Sequence, residues 1–353
     1  MMIFLFLINS VWAQIDETPL KSTPEVRELT PIQTLPLKVG GYLDFVMRAH
    51  SLPTSKRGRV DYTVEEMPLR FVLTPMERHQ ATVEHDFANN RLREANYQMS
   101  SLLAETDELQ VGVLRRLWYG ELEKRTKIFA AAGLELRPLG QKYNYDQEND
   151  TGFLYQRRWP EANFVVAVGS LNGEGGVQTE NGASKESFLF LRRDWDYFSV
   201  LLFYSSGAYD QYSGAENKKE RWQWAMQYIF DQTELRLEFL LATDPAQAIK
   251  DRSIADGVDV ISQLGERIHG AATRLQIYQS WRPQWGILGQ YDYVQPDRQQ
   301  RLKNFGQWTL GAAYQWTPRV QSWLAWNQGD YGSEHLASTR ESKRISFATR
   351  LNF

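Results

Sequence analysis

The feature that most limits what this 353-residue chain can become is a period-two alternation of apolar and polar side chains, repeated in segment after segment. In "RWQWAMQYIF", Trp222, Trp224, Met226, Tyr228 and Phe230 fall on one parity, and Arg221, Gln223, Ala225 and Gln227 on the other. "TELRLEFLL" sets Leu235, Leu237, Phe239 and Leu241 against Glu234, Arg236 and Glu238, and "QWTLGAAYQW" sets Trp308, Leu310, Ala312, Tyr314 and Trp316 against Gln307, Thr309, Gly311 and Gln315. Successive side chains of a strand point to opposite faces, so each segment reads as a strand with one apolar and one polar side. The last ten residues, "RISFATRLNF", keep the pattern, with Ile345, Phe347, Leu351 and Phe353 on one parity.

A soluble sandwich also alternates, and two further signals separate it from a membrane barrel. Aromatic residues make up 13% of the chain, with 12 Trp and 17 Tyr, and several of them end strands beside short turns: Trp159, Trp195, Tyr197, Trp281, Trp285 and Trp316. Those are positions for an aromatic girdle at a membrane–water interface. The connections also alternate in length. "RWPEAN", "DWDY", "FDQT", "WRPQW" and "WTPR" are tight turns, and between them run the longer polar stretches 172–184, 206–218, 244–265, 296–304 and 330–341. An up-and-down barrel puts all its short links on one side, whereas Greek-key crossovers do not.

The mean hydropathy of -0.51 does not oppose this, because alternating strands average to nothing. The expected fold is therefore all-β, a transmembrane up-and-down antiparallel β-barrel of about 16 strands over residues 37–353, with short periplasmic turns and long external loops. The stretch 60–74 is expected as one strand, and the last strand is expected to close the barrel against residues 37–50. A barrel of this size encloses an aqueous channel.

Outside the strands, "MMIFLFLINSVWA" (1–13) reads as a signal peptide cleaved after Ala13, though without a basic n-region, and 14–36 as a Pro-rich periplasmic leader. The stretch 118–149 is long for a loop and apolar in its middle, "IFAAAGLELRPLG". It is expected to fold inward as a constriction loop, with Lys124, Arg125 and Lys127 as candidate solute contacts. The competing reading is a solvated external charge cluster, in which Glu121, Glu123 and Glu135 neutralise the field.

Parity assigns Arg48, Arg70, Arg116, Arg158, Arg236, Arg274, Arg344 and Arg350 to the lumen, together with Asp44, Glu66, Glu84, Asp86, Glu234, Glu238 and Asp292. Of these, Arg70, Arg116, Arg158, Arg236 and Arg274 are the further candidate solute contacts. Charges of both signs would set a field across the pore. Alternatively they are cross-strand ion pairs that stiffen the wall.

Other chemistries find little footing. A net charge of -3 argues against a broadly basic nucleic-acid binder, and the absence of Cys removes disulfides and thiolate metal sites. The five His form no HExxH motif, and His79 and His85, six residues apart on one strand face, lie about 20 Å apart, too far for one metal. No Gly-x-Ser-x-Gly or phosphate-binding loop is present, and no cofactor is expected. An outer-membrane porin is the leading reading. The alternatives are a non-conducting barrel acting as adhesin or anchor and, further off, a barrel lipid hydrolase; no enzyme activity is expected.

The runs "RLREANYQMSSLLAETDELQVGVLRRLWYG" (91–120) and "GFLYQRRWPEANFVVAVGSLNGEG" (152–175) and the final "ATRLNF" resemble the phosphate-selective porin O and P family, in which an "(E/D)A" strand leads to "VGxxRxxxG", a long inserted loop and a later "NGxG". The resemblance implies a trimeric 16-stranded barrel in the outer membrane of a Gram-negative bacterium. Its loop after strand five would narrow the pore, and small hydrophilic solutes or anions such as phosphate would pass. It also implies that the segment ending in Phe353 is read by the outer-membrane assembly machinery. The chain departs from the family in lacking a dense series of lumenal basic residues.

Overall fold

The protein is described by a computed structural model covering residues 36–51, 59–117, 149–172, 185–208, 218–245, 267–282, 284–295, 298, 304–331 and 343–353. The signal peptide, the leader up to residue 35, and Lys124, Arg125 and Lys127 lie outside the described residues.

The described chain is a succession of strands: β1 (Leu37–Ser51), β2 (Arg59–Glu66), β3 (Pro68–Met76), β4 (His79–Asp86), β5 (Arg91–Ser100), β6 (Asp107–Arg115), β7 (Asn149–Trp159), β8 (Phe164–Leu171) and β9 (Glu186–Asp194). There follow β10 (Phe198–Ala208), β11 (Lys218–Phe230), β12 (Thr233–Pro245), β13 (Arg267–Arg282), β14 (Trp285–Gln295), β15 (Phe305–Thr317), β16 (Val320–Tyr331) and β17 (Lys343–Asn352). From β3 onward each strand pairs antiparallel with the next. β1 closes the ring, pairing with β17 from Tyr42↔Asn352 to Ser51↔Lys343.

On its other edge β1 meets β2 with its second half and β3 with its first. The two are halves of one strand interrupted at Met67, and just before the interruption Glu65 is an extra residue, Asp44 facing Glu66 and Phe45 facing Val64. The Met67 N–H donates to the Asp86 carboxylate at 3.0 Å, and its carbonyl accepts from Phe87 N–H at 3.0 Å. These bonds satisfy the Met67 backbone at the interruption. Counted this way, the 17 segments make a closed, up-and-down barrel of 16 strands. The expected strand 60–74 is present but bent.

Short turns gather at one end. Arg78, Ser101, Asn163 and Asp231 adopt positive φ there (67°, 60°, 48° and 48°), the left-handed geometry that tight reversals demand. At the opposite end β4 and β5 are joined by only four residues, 87–90, so the alternation of link lengths is not strict. That turn is tied by the Asp86 carboxylate, which accepts from Ala88 N–H (3.1 Å) and Asn89 Nδ2 (2.7 Å).

The two parities separate cleanly into outside and inside. Leu235 (39%), Leu241 (46%), Leu310 (50%) and Trp222 (56%) are exposed on the outer surface, while Gln223 (3%), Glu234 (1%), Arg236 (2%) and Thr309 (0%) point inward and are buried. A soluble fold would reverse that order. An apolar outside with a polar inside is the arrangement of a barrel that spans a bilayer.

Candidate functional site: the inner wall of the barrel

The inner wall is built from charge pairs that the antiparallel register sets side by side. On β12, β13 and β14, Glu238, Arg274 and Asp292 are successive cross-strand partners of one row. Arg274 grips Asp292 through Nε (2.7 Å) and Nη2 (3.1 Å) and approaches Glu238 at 3.4 Å, while Arg236 Nε meets Glu238 at 3.0 Å and its Nη2 donates to Gln276 at 2.8 Å. Higher on the same wall, Arg221 Nη2 donates to Asp244 at 2.6 Å.

A second network lies where the chain leaves β6 and re-enters at β7. Arg116 donates to both carboxylate oxygens of Glu186 (2.7 and 2.9 Å) and sits 3.4 Å from Asp150, and Lys219 donates to Glu186 at 2.8 Å. Asn149 Nδ2 donates to the carbonyls of Leu92 and Arg93, both at 2.9 Å. The third network spans the closing seam. Arg350 holds Asp44 in a fork, Tyr42 donates to Glu66 at 2.6 Å and accepts from Arg93 at 2.9 Å, and Arg93 Nε lies 3.4 Å from Glu84.

Between the charged rows are three apolar inner patches, a small one of Leu240, Ala242, Ala272 and Val294 and two larger ones. One comprises Leu114, Leu154, Val165, Ala167, Phe188, Phe190, Leu201 and Phe203, with Leu117 packed against it. The other centres on Trp323 and Tyr278, whose rings lie over Gly311 and Gly286 where a Cβ would overlap them.

The candidate residues thus fall into different environments. Arg116 (3%), Arg236 (2%) and Arg274 (0%) point inward but are buried in ion pairs. Arg158 is exposed, and the Arg70 side chain is 47% exposed although 3.4 Å from Glu94. Arg48 pairs with Glu65 at 2.6 Å. Sequence reading did not single out Lys219, Glu186, Asp150 and Asp244 as a set, although parity carries the signal for the first two. Arg93 is beyond any parity reading, because the ladder slips between Glu84 and His85 and an extra residue turns inward. The spacing of His79 and His85 leaves both on the outer face of β4, where His79 Nδ1 lies 2.7 Å from the Tyr97 hydroxyl.

Against solved structures, the barrel is similar to an anion-selective porin from Comamonas acidovorans, with a TM-score of 0.63 at 11% identity over 90% of this chain and 99% of that one. It is also similar to OprB of Pseudomonas putida (TM-score 0.62, 8% identity, 90% and 94% coverage). The trimer form of OmpT, an outer membrane protein of Vibrio cholerae, matches with TM-score 0.60 at 11% identity over 90% and 99% of the two chains. No protein-family model and no curated protein matches the chain. At these identities the likeness carries the fold, that of outer-membrane porins, and does not single out the phosphate-selective branch. With its exposed apolar outer face the chain has the build of a membrane-spanning barrel.

Proposed function

We propose that the protein is a porin, a passive water-filled channel for small hydrophilic solutes, anions such as phosphate among them, and not an enzyme. The observation that carries this reading is the inside–outside division of the 16-stranded wall: a barrel of that strand number has room for a channel, and its inner face is lined by charges of both signs. Arg70 and Arg158 are exposed basic groups on this face, accessible to a solute. Segment 118–149 folds inward as the constriction, with Lys124, Arg125 and Lys127 on it. Support comes from Leu117 seated on the inner apolar patch and from Asn149 tied to the β5 backbone.

The barrel assembles as a homotrimer through the outer face of its first six strands. None of the 12 Trp lies between residues 37 and 117, so this sector lacks the Trp girdle carried by the rest of the wall, and it presents His79 and His85 outward. A surface poor in interfacial anchors suits a protein neighbour better than lipid.

Planar-bilayer recording tests the channel: stepwise ohmic conductance of nanosiemens order is expected, with a reversal potential in a salt gradient that gives the ion preference. The absence of any steps from correctly folded protein would favour the second reading, a non-conducting adhesin or anchor. One observation speaks for that reading, since Arg221, Asp244, Arg274 and Asp292 on the inner wall are all 0% exposed.

A further inference from the structure

The periplasmic-side rim carries two copies of one local arrangement. Arg157 and Trp159 end β7, Arg193 lies near the end of β9 with Trp195 just past it, and Arg157, Trp159 and Arg193 lie on the outward parity, with exposed Phe153 and Leu189 on the same strand faces. In each pair the guanidinium carbon sits over the indole, 5.1 Å from its centroid. The two strands flank β8, and the register puts Arg193 level with Trp159 and Arg157 level with Leu191, so the two guanidinium-bearing positions are about 12 Å apart, two strand spacings across and two residues along.

Neither guanidinium makes an ion pair or a side-chain hydrogen bond among the described residues, and the Arg157 Nε is buried without a partner. Two neighbouring acids are bonded to other groups. Asp107, opposite Arg157 in register, accepts from the N–H groups of Leu102 (2.7 Å), Leu103 (2.8 Å) and Ala104 (2.9 Å) and from the Tyr155 hydroxyl (3.1 Å). Asp194, beside Arg193, takes the Arg192 Nε at 3.0 Å.

An arginine one pleat inside the aromatic belt, on the lipid face, is unfavourable unless its head finds an anion at the interface. Among the described residues no carboxylate pairs with either guanidinium, and the headgroup layer offers phosphates. We propose that Arg157–Trp159 and Arg193–Trp195 each form a binding site for the phosphodiester of an anionic glycerophospholipid in the leaflet that meets the short turns. Each guanidinium donates to a phosphate oxygen, and the indole holds the cation at headgroup depth while packing against the glycerol region.

Native mass spectrometry of the full-length barrel in detergent, titrated with dioleoyl phosphatidylglycerol, tests this. The wild-type protein should retain bound lipid, and R157Q/R193Q should bind about tenfold more weakly at unchanged heat-modifiable migration. The lysine pair R157K/R193K preserves charge and should fold even where the glutamine pair does not. Loss of the planar fork should weaken its binding about threefold. Unchanged lipid affinity in either pair would overturn the proposal, and so would an equal loss on Arg78→Gln, which alters the same rim away from any indole. Inorganic phosphate at millimolar concentration should not displace the lipid; displacement would mean that the site recognises free phosphate.

Discussion

Arg350 closes the barrel on Asp44: the two face each other across the β1–β17 seam, and the guanidinium donates through Nε at 2.6 Å and Nη2 at 2.5 Å to the two carboxylate oxygens. The same guanidinium lies over the Tyr42 ring, 3.6 Å from its centroid, so the fork is held from two sides. With exposures of 2% for Asp44 and 8% for Arg350, the pair is well removed from water. Removing one member should therefore be worse than removing both. Asp44→Ala strands a buried cation and is expected to cost about 3–5 kcal/mol, seen as a lower temperature of heat-modified migration, while D44A/R350M should recover much of it. A double variant no better than Asp44→Ala alone would show that the seam does not depend on this charge balance.

Leu310 and Leu237 sit mid-strand on the outer parity, and Leu310 is 50% exposed to what becomes lipid. Arginine at either should cost about 2–4 kcal/mol and reduce the folded fraction in bilayers, whereas phenylalanine should be accommodated. The folded and unfolded bands on a gel report the difference. Equal yields for Leu310→Arg and Leu310→Phe would show that this face does not meet acyl chains.

Two glycines on neighbouring strands should respond oppositely to the same methyl group. At Gly311 a Cβ would overlap the Trp323 ring, so Gly311→Ala should displace a fully buried indole and destabilise by about 1–3 kcal/mol. At Gly289 the nearest atom is Leu310 Cδ2 at 4.0 Å, and alanine there should be neutral or slightly stabilising. Denaturant titration of the two variants in detergent makes the comparison.

Arg70 and Arg158 are exposed cations of the inner wall. R70E/R158E should shift the zero-current potential in a salt gradient toward cation preference without changing thermal stability by more than about 1 kcal/mol, as for other exposed charges. An unmoved potential with normal conductance would place selectivity elsewhere in the channel.

Much of the barrel is legible from parity alone, because a strand between lipid and a polar interior has two chemically opposed faces and any slip of one residue would expose the error. The alternating rows of β11, β12 and β15 illustrate this. The bends are less legible: Met67 looks like one more apolar residue in "EEMPLRFVL", and only the pairing of β1 with two successive segments shows that the strand breaks there. Site chemistry was readable to a shallower depth. Inward direction follows from parity for Arg116, Arg236 and Arg274, but their burial depends on which carboxylates the register sets beside them, and Glu186 meets Arg116 from 70 residues away. Arg93 shows the limit, since a single bulge reverses the face that counting assigns.

The seam also has a consequence for the order of events during folding. Asp44 and Arg350 are 306 positions apart, while the other inter-strand ion pairs of the wall join much nearer segments. Closing so long a loop is not much costlier in entropy than closing one half its length, roughly 0.6 kcal/mol more. The difficulty is one of timing. Until β17 arrives, β1 has one edge without partners and so does β16, and open edges of that kind are not tolerated in hydrocarbon. The reciprocal bonds between Gly41 and Phe353, 3.1 and 3.2 Å, lie at the end of this last-formed ladder. A chain built this way has no fully paired form in the bilayer until β1 meets β17, which couples insertion to closure.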